Sequence, residues 1–226
     1  MLVPDAALEA ALAARAGGRP LPQRLAPGGG PRAAAATRLT QLTRLTVATG
    51  DPGEAAAALG PGGPLRAAGW GLVAVRPLSD RVLAAAASSL DVDIIAFDLS
   101  TRPPFKLAPK VLAAAVKRGI ALELRYAPAL AGDAPRRAWL THGALLAGAC
   151  RGSGGGIVLS SGAARGDRLR GPRDAAALGQ CCGLTAAAAL SSVSAAPAAI
   201  VRAAQERREA VEGVGVEGPA RKKARA

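Results

Sequence analysis

Five short apolar runs, most of them separated by stretches with helical spacing, limit this chain to very few architectures. They are Leu42 to Val47, Leu72 to Val75, Asp93 to Phe97, Ile120 to Tyr126 and Ile157 to Ser160. The first alternates, as a strand with one wet face does. Ile157, Val158 and Leu159 form a continuous apolar run, the pattern of a strand covered on both faces in a parallel sheet. Helical spacing is predicted over 80–89, 109–118 and 135–151. Strands alternating with helices predict βα units around a parallel sheet, either open or closed into a barrel.

The punctuation agrees with that reading. Gly50-Asp51-Pro52 ends the first strand. Pro109 opens a helix whose core face is Val111, Leu112, Ala115 and Val116, and Gly119 closes it. Lys110 and Lys117, seven apart, fall on a solvent-facing stripe of that helix. After the fifth strand come three helical pieces without a further strand, over 172–182, 185–190 and 197–209. Gly183 separates the first two, and Pro197 opens the third, with Ile200, Val201 and Ala204 as its core face.

Three regions result. Residues 1–38 are Ala/Gly/Pro-rich and low in complexity, with a short helix expected over 5–16 and the rest disordered. Residues 39–209 form the folded domain. Residues 210–226 are a disordered basic tail, in which Arg221, Lys222, Lys223 and Arg225 are a candidate nuclear-import signal or a loose nucleic-acid tether.

Charge narrows the partner. The 226 residues carry 29 Lys+Arg against 16 Asp+Glu, a formal net charge of +13. Such a surplus favours a polyanion: RNA, DNA or an anionic membrane surface. A GC-rich coding bias, which raises Arg, Ala, Gly and Pro together, is the competing explanation. The five aromatic residues, Phe97, Phe105, Tyr126, Trp70 and Trp139, are too few for base-stacking platforms. Any RNA contact is therefore expected at the backbone, through Arg and Lys. No apolar run of 18 or more residues is present, so no segment is expected to span a membrane, and no membrane partner is expected. The start of the chain has Asp5 and Glu9 where a signal peptide needs its apolar centre. An Arg- and Ala-rich start also fits a transit peptide poorly, since residues 1–36 contain no Ser or Thr.

The densest candidate site lies between the fifth strand and the next helix. Arg165, Arg168 and Arg170 occupy the loop, Gly171-Pro172 marks the helix start, and Arg173 stands just inside it. Guanidinium groups beside the free N–H groups of a helix N-terminus suit phosphate. Lys106, Lys110, Lys117, Arg136 and Arg137 are secondary candidates. The plainer alternative is that Arg170 or Arg173 pairs with Asp167 or Asp174 to hold the turn.

Catalytic constellations are sparse. His142, the single histidine, falls three residues after Trp139 and four before Leu146, which predicts a packed side chain. One histidine cannot build a His-rich metal centre. Ser160-Ser161 is not a nucleophile elbow. Asp98 follows a strand and Glu123 lies within one; Glu123 and Arg125, two apart, suggest an internal ion pair, with magnesium-binding carboxylates as the alternative. Gly152 to Gly156 precede a strand, so they read as a connector and not a phosphate loop. Cys150, Cys181 and Cys182 match neither a disulfide framework nor a zinc spacing, and helical spacing places both adjacent thiols in the core of a reduced-compartment protein.

Several segments taken together resemble the p30 (Rpp1-type) protein subunits of ribonuclease P. They are Leu42-Thr-Arg-Leu-Thr-Val47 with Asp51-Pro52, Leu90-Asp-Val-Asp-Ile-Ile95, Pro104-Phe105, and Arg118-Gly-Ile-Ala-Leu-Glu-Leu124 running into Tyr126-Ala-Pro128. Arg136-Arg137, Ile157-Val-Leu-Ser-Ser161, Leu169-Arg-Gly-Pro-Arg-Asp174, Leu178-Gly179 and Gly183-Leu184 complete the set. The resemblance spans residues 39–209.

It implies an α/β, TIM-barrel-like fold related to the polymerase and histidinol phosphatase superfamily, without that superfamily's histidine-rich metal site and without a cofactor. It implies a non-catalytic, RNA-binding subunit of a nuclear ribonucleoprotein, with the nucleolus as the alternative location, that removes 5′ leaders from precursor tRNA, shared with the related rRNA-processing particle. Its implied partners are ribonuclease P RNA, a Pop5-type subunit and other protein subunits, with precursor tRNA met indirectly. The family barrel begins with an acidic strand and a second apolar strand that residues 1–38 do not contain. The expectation is an incomplete barrel or a gene model truncated or mis-spliced at its 5′ end, the latter favoured. The competing classes are a metal-dependent phosphoesterase on a related barrel and a scaffold that binds only protein.

Overall fold

The computed structural model describes residues 42–68, 70–150 and 156–214. Five strands, β1 (Arg44–Thr49), β2 (Leu72–Pro77), β3 (Ile94–Phe97), β4 (Ala121–Arg125) and β5 (Ile157–Ser160), form one sheet in sequential order. All four pairings are parallel. Each βα crossover therefore steps one strand onward in the same direction. Because such crossovers are right-handed, helices added in this order stack on one face of the sheet. A doubly wound sheet would reverse direction; this one follows the order of a barrel.

The helices are α1 (Pro52–Leu59), α2 (Pro64–Ala67), α3 (Asp80–Ser88), α4 (Pro109–Lys117), α5 (Asp133–Cys150), α6 (Pro172–Cys181), α7 (Ala186–Ser192) and α8 (Ala195–Val214). The helix-covered face of the sheet is Val73, Val75, Ile95, Phe97, Leu122, Leu124, Ile157 and Leu159, all buried. Trp139 and Leu146 of α5 are fully buried beside it. The Trp139 indole donates to the Arg125 carbonyl at 2.7 Å, which ties α5 to the end of β4.

Helix α1 falls where the sequence predicts only the end of a strand. Asp51 caps it, accepting from the Gly53 amide at 2.8 Å, and Pro52 takes the first position. Its interior is mostly alanine, so periodicity carries no signal there, and the caps alone mark it. Helix α8 continues to Val214, past the predicted end at 209. The 5–16 helix and the 221–225 basic cluster lie outside the described residues.

The opposite face is concave, and one ion pair proves it. Arg44 on β1 donates to both carboxylate oxygens of Glu123 on β4, at 2.6 and 2.7 Å. In a flat sheet those strands would stand about 14 Å apart, three interstrand spacings. The sheet must curl to bring the side chains into contact. Glu123 thus pairs with Arg44 and not, as the i,i+2 spacing suggested, with Arg125. A strand neighbour two residues along points the same way but lies about 7 Å off, whereas curvature brings a distant strand closer.

Residues of α8 close the other end of this concave face. Ala196 and Ile200 pack on Ala74, Ile94, Ala121 and Val158, one from each of β2 to β5, with Leu72 beside them. Arg207 of α8 pairs with the Asp93 carboxylate, whose other oxygen accepts from the Val73 amide at 2.7 Å. The stretch Ala186–Arg207 has a mean hydropathy of 1.4, long and apolar enough by composition to cross a membrane. The fold divides it between α7 and α8 and seats part of it on the sheet. Among the described residues the sheet does not close: β1 and β5 each keep one unpaired edge.

The adjacent cysteines part company. Cys182 is buried and Cys181 is exposed, correcting the expectation that both are core. The buried face of α6 is Ala175, Ala176 and Gly179, which Cys182 continues three residues on, whereas Cys181 falls beside it. Burial pushes the Cys182 thiol up to about 12 and the Cys150 thiol up to about 11. Native protein at pH 7.5 is expected to react with a maleimide at Cys181 rapidly and at the other two only on unfolding. Fast loss of two or more thiols, counted by mass spectrometry, would contradict this packing.

Close approach of α5 to the end of α6 depends on Gly143. A Cβ there would sit 2.6 Å from Cys182 Sγ. Gly143→Ala should therefore cost about 1–3 kcal/mol through overpacking, read as a lower urea midpoint.

Candidate nucleic-acid interface

In a sheet of parallel βα units, every loop that follows a strand lies at the C-terminal edge, together with the first turn of the next helix. That rule sorts the basic residues. Arg102, Lys106 and Lys110 lie in the β3–α4 connection and the first turn of α4. Arg136 and Arg137 lie in the first turns of α5, and Arg165, Arg168, Arg170 and Arg173 in the loop and first turn after β5. All of these share one rim. Lys117 does not: it ends α4, about 10 Å along the helix from Lys110, at the opposite edge of the sheet. Its neighbour Arg118 donates to the carbonyls of Ala86 and Leu90 at 3.0 and 2.8 Å, a structural tie.

The rim is electrically lopsided. Beyond β1 and β2 it carries Asp51, Glu54 and Asp80 against Arg81, while beyond β3, β4 and β5 the arginines and lysines just named outnumber Asp98, Asp133, Asp167 and Asp174. Phe105 anchors the middle of this edge against Phe97 at the end of β3, with ring centroids 6.4 Å apart. The Lys106 amide donates to Asp80 at 3.2 Å and so fixes the turn that presents its exposed side chain. Between this segment and α5 runs a groove of about 820 Å³ lined by Phe105, Leu107, His142 and Leu145. His142 is half-buried on its wall with Nδ1 unpartnered, and not packed within the core.

The arginine loop divides into braces and free heads. A short 3-10 turn, Gly166–Arg168, shapes it. Arg165 Nε donates to Asp167 at 3.3 Å, an exposed pair. Arg170 folds back on the loop, donating to the carbonyls of Asp167 and Leu169 at 2.9 and 2.8 Å. Its own amide donates to the Tyr126 hydroxyl at 3.0 Å. The alternative carboxylate pairs of Arg170 or Arg173 do not form; Arg170 holds the turn through backbone carbonyls instead. Arg168 and Arg173 make no side-chain hydrogen bond or ion pair among the described residues. Arg136 is likewise a brace, donating to the Ala129 carbonyl at 2.9 Å and pairing with Asp133 at 3.3 Å. Arg137 is exposed.

The concave face holds the remaining polar groups. The Ser160 hydroxyl donates to Glu123 at 2.8 Å, so both Glu123 oxygens are engaged. Burial pushes the Glu123 carboxyl up, but Arg44, Ser160 and Arg125 outweigh it and leave it below its ordinary range. Asp98 binds the Ser100 hydroxyl at 2.6 Å. The two carboxylates serve separate partners, and no three His, Cys, Asp or Glu groups among the described residues could hold a metal.

The sequence model of the family described as RNase P subunit p30 matches residues 11–209. The chain belongs to that family. Its p30-family relatives include ribonuclease P protein subunit p30 of Mus musculus, 33% identical over 116 residues, which are 51% of this chain and 42% of that protein. A probable ribonuclease P protein subunit 3 of Schizosaccharomyces pombe is 36% identical over 90 residues, 40% of this chain and 37% of that one. Protein GAMETOPHYTE DEFECTIVE 1 of Arabidopsis thaliana is 32% identical over 125 residues, 55% of this chain and 21% of that one. The chain thus spans less than half the length of the curated relatives it matches. A chain in a cryo-EM structure of archaeal ribonuclease P with mature tRNA shares the fold, with a TM-score of 0.51 at 14% identity over 86% of this chain and 78% of that chain.

Three polar residues of the p30-family concave face, Arg44, Arg76 and Arg125, were not among the binding candidates read from the sequence. Arg76 and Arg125 lie near strand ends, two residues beyond the inward-facing Ala74 and Glu123. That register was the available signal, and it becomes visible only once the inward face is known.

Proposed function

We propose that this p30-family chain is a non-catalytic, RNA-binding protein subunit of ribonuclease P that supports removal of 5′ leaders from precursor tRNA. In this reading the RNA subunit breaks the phosphodiester bond, and the protein braces it together with a Pop5-type partner and other subunits. The location is the nucleus, with a second place in the related rRNA-processing particle. The observation that carries the reading is the one-sided basic rim, which presents Arg168, Arg173, Arg137, Lys106 and Lys110 along one edge. Phosphates along an RNA backbone are the ligand that such a rim suits, because contact through guanidinium and ammonium groups needs no aromatic platform.

The test is to sequence the RNA that co-purifies with the tagged full chain from its own cells. Enrichment of ribonuclease P RNA is the expected result. Recovery of protein partners without structured RNA would replace this reading with the protein-binding scaffold. Divalent-metal-dependent hydrolysis by RNA-free protein would replace it with the phosphoesterase.

A further inference from the structure

Two arginines and one aspartate meet where β2, β3 and β4 end on the concave face. Arg76 stands on β2, Arg125 closes β4, and Asp98 follows β3 between them. Arg76 Nη1 lies 4.0 Å from Asp98 Oδ2, within Coulombic reach but beyond a hydrogen bond. Asp98 Oδ1 is already occupied, accepting from the Ser100 hydroxyl at 2.6 Å and the Ser100 amide at 3.1 Å. Arg125 has no carboxylate of its own either, because Glu123 is held by Arg44 and Ser160. The Nε atoms of Arg76 and Arg125 are both buried without a hydrogen-bond partner. Those two nitrogens are closed to solvent, but the Nη groups of both heads make no hydrogen bond among the described residues, and two such under-matched heads at one spot suit an acceptor that reaches their Nη groups from solvent.

The Arg125 stem has a defined bed. Gly162, at φ +56°, leaves the space it runs through: a Cβ there would come within 2.8 Å of Arg125 Cδ. The Arg125 backbone is pinned by the Trp139 indole. The C-terminal mouth of parallel strands is, moreover, where βα folds bind their ligands.

We propose that Arg76 and Arg125 form an oxyanion site for a single phosphodiester group of an RNA strand, entering the mouth of the sheet beside the arginine loop. Charge selects the diester. Two guanidinium groups and one carboxylate leave a single positive charge, which one phosphodiester neutralises and a dianionic phosphate monoester exceeds. Asp98 thereby tunes the site toward the strand interior and away from free phosphate. This inference rests on the RNA-binding reading above.

The test uses the full chain and a fluorescent ribonuclease P RNA transcript, with affinity measured against salt. R76Q/R125Q should bind about three- to ten-fold more weakly at ~0.1 M salt and flatten the log–log salt slope by about 0.7–0.9, one phosphate contact. R76K/R125K keeps the charge and loses the forks, so the slope should hold while affinity drops. Urea midpoints of both variants verify folding; if the glutamine pair does not fold, the lysine pair carries the test. An unchanged slope and affinity in R76Q/R125Q, alongside a flattened slope in R168Q/R173Q, overturns the site and leaves RNA binding standing. No salt-dependent binding by the wild type overturns both. Inorganic phosphate that displaces the transcript from wild type at matched ionic strength, but not from R76Q/R125Q, overturns the diester preference.

Discussion

Replacing Arg44 with leucine is expected to lower the unfolding free energy by about 3–5 kcal/mol, because it strands a buried carboxylate. Glu123 is only 3% exposed, and Arg44 supplies both of its shortest hydrogen bonds. Without Arg44, Ser160 and the more distant charge of Arg125 must hold a carboxylate in an apolar wall. The same pair bends the sheet, so its loss also releases the curvature that defines the concave face. Replacing both partners with leucine should recover most of the loss, since two apolar side chains leave no orphaned charge. Urea unfolding of the two single variants and the double variant gives the coupling energy directly. A loss below about 1 kcal/mol in Arg44→Leu would show that the pair is incidental.

The pair has a signature in pH as well. In the wild type the Glu123 carboxyl is held below its ordinary value of 4.5, so its contribution is present above that value. It is lost as pH falls through the lower, folded value. In Arg44→Leu the burial effect is no longer outweighed by Arg44, and the carboxyl rises. The variant should then begin to lose its native charge state at higher pH than the wild type. Stability measured between about pH 3 and 7 separates the two curves.

The second large effect lies in the salt dependence of RNA binding. Arg168 and Arg173 are the loop arginines without a protein partner, whereas Arg165 and Arg170 hold the turn. Arg168→Ala with Arg173→Ala should flatten the log–log salt slope by about 1.4–1.8, two phosphate contacts. Between 50 and 200 mM salt, the wild type would then lose about ten-fold more affinity than the variant does. Arg165→Ala with Arg170→Ala should instead lower the protease resistance of the 161–171 loop and weaken binding with a smaller change in slope. Equal slopes for both pairs would mean that the braces and the free heads are not distinct.

Periodicity and caps made the βα framework legible because those signals are local. Pro109 and Gly119 bound α4, and the Ile157 to Ser160 run is β5 residue for residue. Helix α1 was missed for an equally local reason: alanine is a good helix former but leaves no apolar stripe to count. The arginine loop was legible as a cluster, yet which heads are free was not. A guanidinium that folds back onto the carbonyls of its own loop leaves no mark in the spacing. Lys117 shows the same limit, since sharing a helix face with Lys110 says nothing about which rim of the sheet each one reaches.

By itself, the sequence determined the parallel βα order, the positions of most strands and helices, and the p30 resemblance, all of which rest on neighbours within a few turns. Only the tertiary structure decided which carboxylate meets which arginine, which thiol is buried and which basic side chains share an edge. The reason is curvature. A curled sheet brings β1 to β4 across a sequence separation of 79 and sets the ends of β2, β3 and β4 around one point. No local pattern encodes that distance.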